Sequence, residues 1–404
     1  MKKLFKYNLM LLMSIFSVAA IMRGPITGPA TIIDIIINSL GLSASQAGLL
    51  TSLPLLAFAF FSPIAVVCSS KLGLIGTLLL GIITIFLGVI IRSLGGFELL
   101  LIGTFLIGVG IALSNVMLPS IVKKYFPDKV SEVTSLYVFF ISMGGAIFSV
   151  IYLPIAEKAS EYGYVGWNVS LLSTLFIIIV PLLMWLPRLK DDKAIVSNKN
   201  EAVSLTMMIK SRVAWEVTLF LAFTSLVNYT FIAWLPSILS DMGYSLESSA
   251  GLHGILQLSG VLPSLVLLPI LSGKVDKRYI SIFSTFLVLL SIIGLLIFPS
   301  FALGWVIFMG IGNSSAFIMS LSFIGLRTND PQQTVALSSM AQFVGYLFAA
   351  AGPVVLGGII EDGNSWNYIL QLMAFATVIW MLLASLAGRE SKVNQTEKIT
   401  IYNK

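Results

Sequence analysis

The chain has 404 residues, of which 57% are hydrophobic and only 10% are charged, and its mean hydropathy is +0.98. A soluble domain of this length could not cover so much apolar surface with so few charges, so the composition excludes a soluble protein and indicates an all-α protein that crosses a lipid bilayer. The net charge of +6 does not indicate a nucleic-acid partner, because the basic residues are spread over alternate loops. One Cys and one His argue against a metal site, and no motif calls for a cofactor.

Apolar runs bounded by charged residues, Gly, Pro or Asn predict twelve transmembrane helices. A bilayer core of about 30 Å needs roughly 20 apolar residues per helix. The predicted spans are 9–37, 45–68, 72–92, 97–121, 131–154, 167–187, 213–239, 246–270, 279–298, 301–325, 332–360 and 367–388. Several exceed the minimum length, which indicates tilt or kinks rather than further spans.

The basic residues predict the orientation of these spans. All but three of the 24 basic residues fall in the chain termini or in alternate loops, which would all lie on one side of the membrane. The exceptions are Arg23 within the first span, and Arg92 and Lys158 in loops on the other side. Because basic loops stay in the cytoplasm, we expect both termini of this multi-pass membrane protein to be cytoplasmic.

The longest polar stretch lies halfway along the chain, at residues 188–212, and predicts a cytoplasmic linker. It would separate a six-helix bundle at 1–187 from a second at 213–404, which carries a short cytoplasmic tail. A weak internal repeat at an offset of about 200 residues supports two pseudo-symmetric bundles. The repeated pieces are "GLSASQAG" and "GYSLESSAG", "GVG" and "GIG", and "GWN" and "SWN".

Two six-helix halves joined by a basic loop resemble the major facilitator superfamily, and within it the chain resembles the cyanate permease and 2-nitroimidazole transporter family. The pieces that carry this resemblance are "RGPITG", "GLSASQAGLLTSLPLLAFAFFSPIA", "NVMLPSIVKKYFPDKVSEVTSLY", "SLVNYTFIAWLPSIL", "AGLHGILQLSG", "LRTNDPQQTVALSSMAQFVGYLFAAAGPVVLG" and "SWNYIL". The resemblance implies a central cavity between the halves, exposed to each side of the membrane in turn as the halves rock.

Arg23 lies deep in an apolar span. It is about 14 residues, or roughly 21 Å along a helix, from the start of the first span, near the middle of the bilayer. An arginine at this depth costs free energy unless it faces a cavity or a partner, and its guanidinium fork suits carboxylate, cyanate or nitro oxygens. We predict that Arg23 anchors an anionic substrate, with Thr27 one turn away. The alternative is a structural arginine bonded to backbone carbonyls or to Asp34.

Two glycines and two prolines follow Arg23 closely, in the order Gly24, Pro25, Gly28 and Pro29. Proline removes a backbone donor, and glycine allows the backbone of another helix to come close. The pattern therefore predicts either a local break in the helix beside the cavity or a close helix crossing.

Polar side chains in three later spans complete the predicted substrate site. They are Asn228, Tyr229 and Trp234 in the seventh span, His253 and Gln257 in the eighth, and Gln342 and Tyr346 in the eleventh. The last two pairs are spaced i, i+4 and each shares one helix face. Trp234 has the alternative role of an anchor at the membrane interface, and His253 that of a hydrogen-bonded residue without function. Asn115 and Asn313 are predicted to make packing hydrogen bonds.

Coupling and gating have few candidates. His253 titrates near neutral pH and Asp34 is acidic, so these two are the candidate coupling residues, although an exposed carboxylate is the default for Asp34. Superfamily members usually carry a charged latch between the second and third spans. Here the loop "SSKLG" keeps only Lys71, whereas the matching loop "SGKVDKR" keeps Asp276, Lys277 and Arg278. We predict a gating loop from these four residues and do not expect a two-sided latch.

The sequence therefore predicts a transporter, secondary active or facilitative, and not an enzyme. Its expected substrate is a small anion or a compact polar heterocycle, cyanate-like or nitroimidazole-like, with a proton or a counter-anion as the open choices for coupling. We expect a monomer in the lipid bilayer. The alternative is a multidrug or metabolite exporter of the same fold. A membrane sensor or enzyme would call for a soluble domain or a catalytic cluster, and the sequence indicates neither.

Overall fold

The computed structural model describes residues 2–42, 44–191, 205–271, 276–361 and 365–393. Within these ranges the chain is helical and forms no β-strand. The helices are α1 Lys2–Ile21, α2 Gly24–Thr27, α3 Ile33–Leu40, α4 Ala44–Arg92, α5 Phe97–Tyr125, α6 Val130–Glu161, α7 Gly166–Leu172, α8 Thr174–Trp185, α9 Leu205–Lys210, α10 Arg212–Asp241, α11 Leu246–Ser259, α12 Leu262–Leu271, α13 Lys277–Ile297, α14 Ala302–Leu326, α15 Pro331–Glu361 and α16 Trp366–Ala387. Short 3₁₀ turns lie at Gly28–Ile32, Pro127–Lys129, Leu186–Asp191 and Pro299–Phe301.

Eleven helical segments of the described chain are long and apolar enough to cross a membrane. One of them, Ser52–Arg92, has 41 residues, which is enough for two crossings. It is interrupted at Gly73, whose φ of 75° and ψ of 178° are not helical. This segment therefore contains the second and third spans, and the twelve predicted spans are confirmed.

Polar side chains define where several spans begin. Ser211, Ser245 and Ser365 precede α10, α11 and α16, and each side chain accepts a hydrogen bond from a backbone amide in the first turn. Such caps satisfy amide groups that have no partner within the helix. The sequence thus marks the helix starts chemically as well as by hydropathy.

The described C-terminal residues, Arg389–Val393, mark one end of the helix bundle, which we call the tail side. There the backbone amide of Val393 donates to the carbonyl of Arg327, and the side chain of Arg327 donates to the carbonyls of Ala387 and Gly388 at 3.0 and 2.9 Å. The predicted linker is only partly visible, because residues 192–204 lie outside the described residues, so the boundaries 1–187, 188–212 and 213–404 stay predictions.

The two bundles meet mainly on the tail side. Ser339 of the eleventh span donates to the carbonyl of Ser62 in the second span at 2.7 Å. Ser135 of the fifth span donates to the carbonyl of Ser264 in the eighth span at 2.6 Å. These hydroxyl-to-carbonyl bonds join the two halves.

The first and seventh spans, as far as the structure describes them, are not joined in this way. Among the described residues, no hydrogen bond or aromatic pair joins the first span to the seventh, and α10 packs instead on α11, α14, α15 and α16. We call the space between the bundles beyond these bonds the cleft, and its side away from the tail the open side.

Candidate functional site

The first span is broken at Arg23. Helix α1 ends at Ile21 and α2 begins at Gly24, so Arg23 occupies the junction as the residue before α2, with φ −113° and ψ −39°. The carbonyl of Arg23 accepts bonds from the amides of Ile26 and Thr27 at 3.0 Å and from the Thr27 hydroxyl at 3.2 Å. The predicted break is present, and Thr27 supports the backbone of Arg23.

The predicted close crossing is also present, against the fifth span. A Cβ at Gly144 would collide with the carbonyl of Ala20, and a Cβ at Gly145 would lie 3.4 Å from Cγ and Cδ of Arg23. The absence of side chains at these two positions lets the first span lie directly on α6. The aliphatic stem of Arg23 thus rests on a bare backbone, which directs the side chain along the helix surface.

The Arg23 guanidinium has no acceptor among the residues that the structure describes. No hydrogen bond or ion pair of its side chain occurs there, and the residue is half-buried. Tyr229 in the seventh span and Tyr346 in the eleventh lie within electrostatic range of Arg23. A fixed positive charge therefore lies between the two bundles, with phenol groups of the second bundle close by.

A third phenol, Tyr137 of the fifth span, was missed by sequence reasoning. Its side chain is buried and is within electrostatic range of Tyr346, and its hydroxyl has no hydrogen-bond partner among the described residues. The stretch "SLYVFF" offers no signal that separates this tyrosine from ordinary apolar packing. Only the packing of α6 brings it toward the cleft.

Tyr346 links the site to the first bundle. Its hydroxyl accepts a hydrogen bond from Asn115 Nδ2 at 3.2 Å, and its ring centroid lies 4.8 Å from that of Phe58. Gln342, one turn earlier, is 3% exposed and donates to Ser338 at 3.0 Å, whereas its Oε1 has no partner among the described groups. Asn115 therefore joins the predicted pair Gln342 and Tyr346.

Asn228 is held by an asparagine of the tenth span. Asn313 Nδ2 donates to Asn228 Oδ1 at 2.5 Å, while Asn313 Oδ1 is buried and unpartnered within the described part of the chain. The bond fixes α10 to α14 next to Tyr229. Asn228 thus lies beside Tyr229, and the side-chain oxygen of Asn313 stays a buried, unpartnered acceptor within the described residues.

Trp234 packs against the eleventh and twelfth spans. Its Nε1 donates to the carbonyl of Pro353 at 2.9 Å, and its ring centroid is 5.5 Å from that of Trp366. These contacts place it toward the open side, between the seventh, eleventh and twelfth spans. The structure gives it a packing environment, and its contact with substrate stays a prediction.

His253 faces the seventh span. Its ring lies against the carbonyl of Ile232, and its Nε2 is buried with no partner among the described residues. Gln257, one turn on, is exposed. The pair is therefore split between a contact with α10 and an outer surface of the eighth span.

The predicted gating residues are dispersed. Lys71 is exposed, Asp276 caps α13 by accepting from the amide of Arg278 at 2.9 Å, and the Arg278 side chain donates to Ser385. Lys277 is half-buried, and the side chain of Asp34 lies outside the described residues. Within the described chain, no ion pair joins these residues across the two bundles, so closure on the tail side depends on helix packing.

Comparison with known proteins places this geometry in a family. The family model described as Major Facilitator Superfamily matches residues 9–353. The chain is 36% identical to the 2-nitroimidazole transporter of Escherichia coli strain K12 over 388 residues, which are 96% of this chain and 98% of that protein. It is 23% identical to the cyanate transport protein CynX of the same strain over 352 residues, covering 87% and 89% of the two chains.

The fold has a counterpart among solved structures. It is similar to the crystal structure of FucP, a superfamily transporter in the outward conformation, with a TM-score of 0.77, 14% identity, and coverage of 94% of this chain and 98% of that one. The family model matches most of the chain, and one relative is more than 30% identical over nearly its full length. Both findings indicate the same family. The chain therefore belongs to the major facilitator superfamily, in the group that contains the 2-nitroimidazole transporter and CynX.

Proposed function

We propose that this transporter carries a small anion or a compact polar heterocycle across a bacterial inner membrane by alternating access, with Arg23 as its anchor. The observation that carries the proposal is the Arg23 guanidinium, which sits at a helix break and has no acceptor among the described residues. An arginine stays charged, and such a charge within a bilayer is stabilised by a ligand that brings negative charge or acceptor oxygens.

The phenols support a ligand of this class. Tyr229 and Tyr346 both lie within electrostatic range of Arg23, and in this proposal their hydroxyls donate to a second atom of the same ligand. Their rings offer flat apolar faces for a heterocycle. A linear cyanate or a planar nitroimidazole fits this combination of one cation, two donors and aromatic faces, and the names of the two relatives point to the same two chemistries.

The orientation of the chain follows from its charges. Basic residues are concentrated on the tail side, which we infer to be cytoplasmic, so the cleft opens toward the periplasm. Transport by alternating access then requires the tail-side contacts between the bundles to separate. We further propose that the transporter acts as a monomer.

Coupling has two open choices, a proton or a counter-anion. His253 supports a proton, since its Nε2 is buried and unpartnered within the described chain and histidine titrates in the physiological range. Asp34 is the other candidate on sequence grounds. A counter-anion would need no further residue, because a second anion can use Arg23 in the return step.

Transport by purified protein in liposomes tests this function. Uptake of labelled cyanate and of 2-nitroimidazole is measured with and without an imposed pH gradient. We expect saturable uptake of at least one of them by the parent, loss of most uptake in Arg23→Gln, and parental uptake in Lys158→Gln, a matched loss of one positive charge at an exposed position. Uptake of bulky cations with no uptake of either probe would overturn the proposal.

A further inference from the structure

The two prolines of the first span leave backbone carbonyls without helical donors. In an α-helix the carbonyl of residue i bonds to the amide of residue i+4. The carbonyl of Pro25 would need the amide of residue 29, which is Pro29 and has none. A carbonyl left in this state inside a membrane protein must find a donor elsewhere.

The donor is Arg92, 67 residues further along the chain. Its Nη1 donates to the carbonyl oxygen of Pro25 at 2.6 Å, and its side chain is 1% exposed. The sequence predicted Arg92 in a loop on the open side. The structure instead places it at the end of α4, with its side chain turned into the first bundle.

Further contacts hold Arg92 in place. Its Nη2 donates to the hydroxyl of Tyr152 at 3.3 Å, and this hydroxyl is itself hydrogen bonded to Thr174. The backbone of Arg92 lies so close to Gly103 that a Cβ there would collide with it. The fourth, fifth and sixth spans thus hold Arg92 directly or through Tyr152, and its guanidinium reaches the break in the first span.

The charge of Arg92 is not explained by an ion pair. Among the described residues it has no carboxylate partner, and its Nε is buried without an acceptor, beside a cavity of about 20 Å³ that is large enough for one water. Burying an unpaired guanidinium is unfavourable. The arrangement is therefore poorly suited to stability alone and well suited to fixing one backbone position.

We propose that Arg92 is a positioning residue for the substrate site: its bond to the Pro25 carbonyl holds the helix break in the conformation that directs Arg23 into the cleft. Pro25 is two residues from Arg23, so a change in its backbone dihedrals moves the Arg23 side chain directly. Lysine cannot replace Arg92, because it lacks the planar fork that reaches Pro25 and Tyr152 together. The inference rests on the proposed role of Arg23 and adds a residue to it.

A test that needs no substrate separates the two ideas. In a Cys68→Ser background, Tyr229→Cys places a thiol within the field of Arg23. The ratio of its modification rates by an anionic and by a cationic methanethiosulfonate reports the local potential. Arg23→Gln gives the ratio expected when the charge of Arg23 is absent. We expect this variant to lower the ratio at least about fivefold, because the two reagents differ by two charges and respond oppositely to the potential.

The Arg92 variants then decide the inference. We expect Arg92→Met to move the ratio close to the Arg23→Gln value and Arg92→Lys, which keeps the charge, to lower it as well. Tyr152→Phe, which removes one partner of Arg92, serves as the milder variant if Arg92→Met does not fold, and it should give an intermediate ratio. Lys158→Gln should leave the ratio unchanged.

Parental ratios in folded Arg92→Lys and Tyr152→Phe would overturn the positioning role, whatever transport assays show. A low ratio in Arg23→Gln together with parental transport would instead overturn the proposed function and leave the geometry of Arg92 intact. In transport assays, positioning predicts that Arg92→Lys raises the KM for the better of cyanate and 2-nitroimidazole several-fold more than it lowers the maximal rate.

Discussion

The side-chain amide of Asn115 donates a hydrogen bond to the hydroxyl of Tyr346, with 3.2 Å between the two atoms. This bond crosses from the fourth span to the eleventh, and therefore from one bundle to the other. Tyr346 also lies within the field of Arg23. A single phenol thus contacts the closed interface and the predicted substrate site, which gives a direct route by which substrate binding can influence closure.

Loss of the bond between Asn115 and Tyr346 should open the tail side more often. Interhelical hydrogen bonds in membranes contribute roughly 0.6 to 1.7 kcal/mol, so Asn115→Leu should raise tail-side opening about three- to twentyfold. Ser339 is buried in this interface. The measurement uses a protein with Ser339→Cys and without Cys68, in inside-out vesicles, and follows the rate at which the introduced thiol reacts with N-ethylmaleimide.

Tyr346→Phe should give the same increase, and the double variant should add little, because both changes remove one interaction. Equal reaction rates in the parent and both single variants would show that this bond does not stabilise the closed interface.

The contact between Gly144 and Ala20 should tolerate no side chain. Gly144→Ala forces a methyl group into the carbonyl of Ala20, and overpacking of this kind costs about 1 to 3 kcal/mol. We expect a clearly lower midpoint of thermal unfolding in detergent. Gly254→Ala is the matched control, since a Cβ there meets nothing within 4 Å, and its midpoint should equal or exceed that of the parent. A parental midpoint in Gly144→Ala would contradict the described crossing.

The hydrogen bond between the side chains of Asn228 and Asn313 should make the effects of the two residues on stability non-additive. Asn313→Leu removes the donor to the side-chain oxygen of Asn228, and an unsatisfied buried group costs about 1 to 3 kcal/mol. Asn228→Leu with Asn313→Leu removes both groups and should recover part of that stability. Measured stabilities that fall additively would exclude this hydrogen bond as the reason for the loss.

The C-terminal residues Arg389–Val393 should be held by the turn between the tenth and eleventh spans. Asn329 Nδ2 donates to the carbonyl of Val393 at 3.0 Å, and Val393 is fully buried. Asn329→Ala should therefore expose the backbone around Lys392, and limited trypsin digestion should cleave there several times faster than in the parent. Unchanged cleavage at Lys392 would contradict a docked tail.

The architecture could be predicted because it depends on apolar runs and prolines, which can be read from one sequence. Spans of about 20 apolar residues fix the number of helices, and Pro25 and Pro29 mark the break in the first. The helices also brought Arg23, Tyr229 and Tyr346 together. Those three positions share a depth in the membrane, which counting residues along each span can estimate.

The rest of the site depends on contacts that hydropathy does not encode. Arg92 was assigned to a loop because a basic residue at the end of an apolar run usually reaches toward the interface. The spacing of Pro25 and Pro29 did contain the relevant signal, since it leaves one carbonyl without a donor, but the donor itself is distant in sequence. Depth in the membrane places Trp234 and spacing from His253 places Gln257, but helix rotation sets what they contact.

The most direct test of the central claim is equilibrium binding of cyanate and 2-nitroimidazole to purified protein, measured by calorimetry for the parent, Arg23→Lys and Arg23→Gln. A charge-assisted hydrogen bond contributes about 1.5 to 3 kcal/mol, so we predict roughly 10- to 100-fold weaker binding in Arg23→Gln. Arg23→Lys should recover only part of the affinity because it keeps the charge and loses the fork. Parental affinity in both folded variants for a ligand that the parent binds would contradict Arg23 as the anchor.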